Sequence, residues 1–314
     1  MSEGRSQSLI FPYIAIVSAM LIWAGAGIAV KQALIVFNPL TLIVLRFTLA
    51  VLLMLSVGLL FRGNEVIGLQ RIDKKDIPLF LLGGLLQPFL YFIFETYTYQ
   101  SFASPTIAES MLSTQPILAP IFAWLLLRER ITRNNIIGII VSTLGMLLLI
   151  LTGSSSNFEL GNPWGILLAV LTVSSSVGYS VILRRIPTHY SALSIVFYVQ
   201  SISLILFYIL FGGACLFIDY SPLVSPAVWR EGQCLQSLLS VGYLAVFASV
   251  MAFVLFCFTV RYIGVTRANV FNNIRPVFTA LLMLFIFDEQ LPFLKWLGIV
   301  VIIVGLFISQ KQRK

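Results

Sequence analysis

PTIAESMLSTQPILAPIFAWLLLRERITRNNIIGIIVSTLGMLLLIL, residues 105–151, returns without a gap 160 positions later as VTRANVFNNIRPVFTALLMLFIFDEQLPFLKWLGIVVIIVGLFISQK, residues 265–311. Under this shift Ala108 falls on Ala268, Pro116 on Pro276, Glu129 on Glu289, Gly138 on Gly298 and Gly145 on Gly305. Ile139 and Val141 fall on Ile299 and Val301. Duplication in an apolar chain points to two membrane halves with a binding site where they meet, the architecture of secondary transporters.

Outward from the repeat, the 314 residues are 59% hydrophobic and only 10% charged, with a mean hydropathy of +0.99. No water-soluble core could hide that apolar surface, so the chain belongs in a bilayer. Spanning roughly 30 Å of hydrocarbon takes about 20 residues at 1.5 Å each. The apolar runs predict ten spans near 9–30, 39–61, 77–99, 105–127, 135–152, 164–183, 192–214, 235–258, 264–287 and 292–310. The expected fold is all-α and polytopic, with ten transmembrane helices in two repeats of five. Residues 1–153 form the first repeat, 154–163 a polar linker and 164–314 the second. Five is odd, so the second copy enters the membrane from the opposite side and the repeat is inverted. A shift of 153 extends the duplication to the early helices, placing Gly25 on Gly178, Lys31 on Arg184 and Leu40 on Leu193.

The net charge of +8 is a topology signal rather than a nucleic-acid surface. One set of loops carries Arg62, Arg71, Lys74, Lys75, Arg128, Arg130, Arg133, Arg184, Arg185 and Arg261, and the termini add Arg5, Lys311, Arg313 and Lys314. The opposite loops hold only Lys31, Arg230 and Lys295. The positive-inside rule then places both termini in the cytoplasm of a multi-pass inner (plasma) membrane protein. Arg5 before the first apolar run and Ala24-Gly25-Ala26 near its end resemble a signal peptide. That run exceeds the roughly 7 to 15 residues of an h-region, and the repeat needs it as a span. Cys215 and Cys234 flank an outward loop where a disulfide is conceivable, and Cys257 lies within a span. The longest polar interval, Arg62 to Asp76, leaves no room for a nucleotide-binding domain, and no phosphate loop is present. ATP-driven transport by this chain alone is excluded.

An ionisable side chain at the bilayer centre costs about 2.5 to 3.5 kcal/mol or more, so each needs a partner or a wet cavity. Arg46, Glu95, Glu109 and Arg275 stand out. Helical rise puts the first three at a common depth, on the order of 6 to 10 Å below the outer surface. They form either a fixed ion pair between helices or a site where a desolvated glutamate binds and releases a proton. Arg275 precedes Pro276 as its repeat mate Gln115 precedes Pro116. Both prolines remove a backbone donor and are expected to hinge the fourth and ninth spans at equal depth. Asn269, Asn272, Asn273 and Pro276 share a helical face, which either lines a cavity or bonds between helices. Tyr91, Glu95 and Tyr99 form a stripe at spacing four. Tyr91 and Trp23 are candidates for substrate contact, whereas Tyr97 and Tyr99 read as interfacial aromatics. Gly138 and Gly145, with Gly298 and Gly305, read as close helix packing. Glu129 and Glu289 read as hinges or caps, and His189 as solvated in a loop.

These residues resemble EamA-type members of the drug/metabolite transporter superfamily. The resemblance rests on Trp23-Ala24-Gly25 with Lys31, Pro39 with Arg46, Pro116 with Glu129, and Pro276 with Glu289. It implies a ten-helix basket around a central cavity lined by spans 1, 3, 4, 6, 8 and 9, and export of small metabolites such as amino acids. The expected partners are a small-molecule substrate and bilayer lipid, not nucleic acid, for a monomer or homodimer. Arg275 suggests an anionic moiety on the substrate, which a guanidinium holds with two bonds. Exchange of phosphorylated metabolites or nucleotide sugars would need several cavity-facing cations. A channel would carry a repeated selectivity ring, and an enzyme a nucleophile with its base or a set of metal ligands. The sequence carries neither pattern, so no catalytic residue, metal or cofactor is expected.

Overall fold

The computed structural model describes residues 3–64, 68–102, 108, 111–112, 114–128, 131–151, 163–217, 220–224, 233–287 and 292–310. Among these residues the chain is helical with no strand, apart from one antiparallel bridge between Phe37 and Leu223. The first half holds α1 (Glu3–Ala33), α2 (Pro39–Leu60), α3 (Ile77–Gly84), α4 (Tyr91–Ser101), α5 (Gln115–Leu127) and α6 (Arg133–Leu151). The second holds α7 (Pro163–Arg185), α8 (Ala192–Phe217), α9 (Cys234–Tyr243), α10 (Ala252–Ile263), α11 (Val265–Val270), α12 (Arg275–Phe287) and α13 (Phe293–Gln310).

Stretches 10–33, 39–60, 77–101, 163–185, 192–217 and 234–263 are long and apolar enough to cross a membrane. Helical stretches 115–127, 133–148 and 293–309 are apolar but shorter. Six of the ten expected spans are thus helices of membrane-crossing length and composition.

Local sequence explains where these helices start and break. Proline begins α2 at Pro39 and α7 at Pro163, where its missing N–H costs no bond. The third span is two helices joined by a wide π turn, Leu85–Leu90, and the eighth is likewise α9 and α10 joined across Leu244–Met251. The ninth is broken at the 3-10 turn Phe271–Ile274. Helices α5 and α12 both start at the residue before a repeated proline, Gln115 and Arg275, so the two interruptions fall at equal sequence depth. Gly264, at φ 90°, turns the chain from α10 into α11 in one residue, a conformation side chains with a Cβ rarely adopt.

Packing repeats as the sequence does. Helices α6 and α13 make the most extensive pairing and run antiparallel. A Cβ on Gly138 would lie 2.5 Å from the Gly305 carbonyl, and one on Gly145 would lie 2.8 Å from that of Gly298. Gly25 admits the Tyr243 ring against α1, and Gly178 admits Leu86 against α7. Between helices in lipid there is no hydrophobic drive, so such close backbone approach is what dispersion can use.

The body is apolar outside, and its apolar core encloses a set of buried polar and charged side chains. Leu60, Phe217, Phe285, Phe293 and Phe307 are exposed, while Arg46, Gln87, Glu95, Gln115, Asn272 and Arg275 are buried. A water-soluble protein has the reverse arrangement. Cys215, Cys234 and Cys257 are free thiols, so the disulfide considered for the first two is not formed.

Candidate functional site

Seven of the buried polar side chains converge on one narrow cavity. Trp23 and Ala26 come from α1, Arg46 from α2, Gln87 from the π turn, Tyr91, Phe92 and Glu95 from α4, and Gln115 from α5. The second half contributes Ser176 of α7, Phe253 and Phe256 of α10, Asn272 of the 3-10 turn and Arg275 of α12. Both halves thus build the wall.

Arg46 is held from two sides. Its Nε donates to Ser249 Oγ at 2.6 Å, and its guanidinium carbon lies 4.3 Å from the Phe92 ring centroid. Ser249 is itself fixed, since its carbonyl accepts from Gln200 Nε2 at 2.5 Å. A desolvated cation over an aromatic face gains about 2 kcal/mol, which offsets part of the burial cost. Glu95 lines the same cavity, and its Oε1 accepts from the Tyr91 hydroxyl at 2.7 Å.

The opposite wall is aromatic. Trp23 Nε1 donates to the Ala248 carbonyl at 3.0 Å, which fixes the indole between Phe253 and Phe256 at centroid distances of 5.4 and 5.2 Å. Arg275 lies over that indole, its guanidinium carbon 5.7 Å from the ring centroid. Gln115 is the first residue of α5, so one helix N-terminus, with its partial positive charge, begins at the cavity, while the 3-10 turn runs on into α12 at Arg275, whose N–H donates to the Asn272 carbonyl.

The cavity unites most of the residues singled out from sequence: Trp23, Arg46, Tyr91, Glu95, Gln115, Asn272 and Arg275. Two asparagines of the proposed face do other work. Asn269 Nδ2 bonds back to the Val265 carbonyl, and Asn273 Nδ2 donates to Ser142 Oγ at 2.5 Å, tying the 3-10 turn to α6. Pro116 and Pro276 sit in the first turns of α5 and α12 rather than on the wall. Glu109, Glu129 and Glu289 lie outside the described residues. Tyr99, expected at the interface, is instead buried, because Gly27 leaves a slot on α1 into which its phenol fits.

Sequence reasoning missed Gln87, Ser176, Phe92, Phe253 and Phe256. Gln87 had a signal: Gln87-Pro88 is the same dipeptide as Gln115-Pro116. Ser176 and the phenylalanines had none, since apolar spans contain many of both.

Away from the cavity, the 68–76 and 186–191 segments are joined by Tyr190, whose hydroxyl donates to Asp76 Oδ2 and accepts from the Asp73 N–H, both at 2.9 Å. His189 is exposed beside Tyr190, and its ligand atoms lie within 4.8 Å of those of Asp73 and Asp76. Asp73 pairs with Lys75 at 3.6 Å, so both carboxylates already have partners.

Comparison with known proteins gives one answer. Residues 10–151 and 163–310 each match the EamA-like transporter family. The chain is 28% identical to the uncharacterized transporter YetK of Bacillus subtilis, over 96% of this chain and 87% of that one. It is 24% identical to the uncharacterized inner membrane transporter YedA of Escherichia coli K12, over 97% and 92%. A protein of known crystal structure shares the fold at TM-score 0.71 and 21% identity, over 95% of this chain and 96% of that one.

Proposed function

The chain belongs to the EamA-like transporter family, and from that premise we propose that it carries small amphipathic carboxylates, amino acids foremost, out of the cell by alternating access. The observation that carries this reading is the cavity itself: charged and polar side chains from both repeats, enclosed in a body whose outside is apolar. In this reading ten spans form two inverted sets of five, both termini are cytoplasmic, and Pro116 and Pro276 are hinges.

Charge supports a monoanionic group. Two arginines and one glutamate line the cavity, so with Glu95 ionised the wall carries one net positive charge. The N-terminus of α5 adds to it. That suits one carboxylate at Arg275 better than a phosphate or diphosphate. Trp23, Phe253 and Phe256 offer the apolar side of such a molecule a matching face.

Glu95 supplies the coupling. Ionised, it attracts the ammonium group of an amino acid whose carboxylate rests on Arg275. Protonated from the outside, it withdraws that attraction and the substrate leaves, which exchanges a proton inward for a substrate outward. Glu109 is the alternative proton carrier in the sequence.

The test is flux in proteoliposomes across a panel of amino acids, with and without a pH gradient. A carrier gives saturable uptake and counterflow, and Arg275→Ala lowers it at least about tenfold, as loss of one charge-assisted bond requires. Ohmic current without counterflow would mean a channel. Unchanged affinity in Arg275→Ala would remove the carboxylate from the argument.

A further inference from the structure

Gln87 lines the cavity, yet no hydrogen bond uses its amide among the described residues. The side chain is 4% exposed, and its Oε1 has no hydrogen-bond partner among the described residues. A buried acceptor left unpaired is costly, and native proteins rarely leave one without reason. Its place has a local cause. Pro88 disfavours the helical region for the residue before it, and Gln87 is extended at φ −150°, ψ 118°, within the π turn. That break carries Gln87 to the cavity wall between α3 and α4.

The second repeat shows that the break needs no amide. The corresponding wide turn of half two, Leu244–Met251, contains no glutamine or asparagine. Half two makes its wide turn without a carboxamide, and the carboxamide of half one is left for something inside the cavity.

We infer that Gln87 is a specificity-determining residue: its carboxamide oxygen accepts a hydrogen bond from an N–H or O–H of the transported molecule. The inference rests on the carboxylate carrier proposed above and narrows its substrates. With Arg275 on the carboxylate and Gln87 on a donor group, the site selects amino and hydroxy acids over analogues that lack the donor.

The experiment uses full-length protein in proteoliposomes and counterflow of the labelled apolar amino acid that moves fastest. Competitors are leucine, 2-hydroxy-4-methylpentanoate and 4-methylpentanoate, which share a carbon skeleton. Competition at the site needs no net movement of the competitor, so passive leak of the acids does not enter. In the wild type the first two compete at least about tenfold better than the third, because a site built around a hydrogen bond rejects the molecule lacking it. Gln87→Leu brings 2-hydroxy-4-methylpentanoate and 4-methylpentanoate within about threefold of each other, while leucine keeps the part of its advantage that its ammonium group gains from Glu95. The readout is a ratio within one preparation, so a smaller folded fraction does not change it. If Gln87→Leu yields no protein, Gln87→Asn withdraws the acceptor by one methylene and narrows the gap at least threefold by the same logic. A gap absent from the wild type, or unchanged in the variants, overturns the role of Gln87 and leaves the carrier standing. A wild type with no saturable counterflow of any amino acid overturns the substrate class on which both rest.

Discussion

Glu95 is the residue on which coupling turns. Its partner Tyr91 donates a hydrogen bond that a neutral amide oxygen can also accept, so Glu95→Gln keeps that bond and loses the proton site. The expected variant shows weaker counterflow, because an amide does not attract the ammonium group, and a pH gradient no longer drives accumulation. Accumulation that persists unchanged moves the proton to another carboxylate. Arg46 then faces an amide instead of its main countercharge, so the same variant is expected to melt a few degrees lower in detergent. At this scale much of the site was legible. Arg46, Glu95 and Arg275 are expensive in an apolar span and so announced themselves, and Gln115 and Arg275 were marked by the prolines that follow them. Gln87 carried the same mark but sat in a span whose repeat mate has no proline, so no paired kink drew attention to it. Asn269 and Asn273 share a helical face with the cavity residue Asn272, but a face does not say which side chains the 3-10 turn spends on its own backbone and on Ser142.

Between elements, the pairing of α6 with α13 is set by glycine. Gly138 and Gly145 of one helix meet Gly305 and Gly298 of the other so closely that a Cβ on Gly138 would strike the Ser309 backbone nitrogen at 2.5 Å. Backbone cannot give way as a side chain can. Gly138→Ala is therefore expected to cost about 1 to 3 kcal/mol through overpacking. Gly212→Ala is the control: a Cβ there meets nothing within 4 Å, and α8 gains helix propensity. Thermal unfolding in detergent should separate the two, and equal melting temperatures would remove close packing as the reason for these glycines. The spacing of seven was readable as packing, because small residues on one face are how lipid-embedded helices approach. The partner and its antiparallel register were not readable, since both depend on how the two halves meet. The broken third and eighth spans were hidden for a similar reason: hydropathy is continuous across Leu85–Leu90 and Leu244–Met251, and only backbone geometry shows the turn.

Across the whole molecule, one contact is made twice by residues that the repeat relates. Lys31, in the last turn of α1, donates to the Phe102 carbonyl that ends α4. Arg184, its mate in the last turn of α7, donates to the Arg261 carbonyl in the last turn of α10. In each half a cation from the first helix caps carbonyls at the end of the third, where the helix dipole is negative. If the halves are inverted, these latches lie on opposite faces of the membrane, and both are closed in the structure. Each then holds one side of the cavity shut, and a solvent-accessible latch, part-buried at Lys31 and exposed at Arg184, is worth up to about 1 kcal/mol, roughly a fivefold shift between states. Lys31→Met and Arg184→Met keep the stems and remove the charges. With Cys215, Cys234 and Cys257 replaced and Ser176→Cys as the cavity reporter, an impermeant maleimide should label Lys31→Met faster from outside and Arg184→Met more slowly. Inside-out vesicles should show the opposite order, because a population that leaves one opening enters the other. Two variants that shift labelling in the same direction would place both cations on one face, and a duplication of that kind could not alternate.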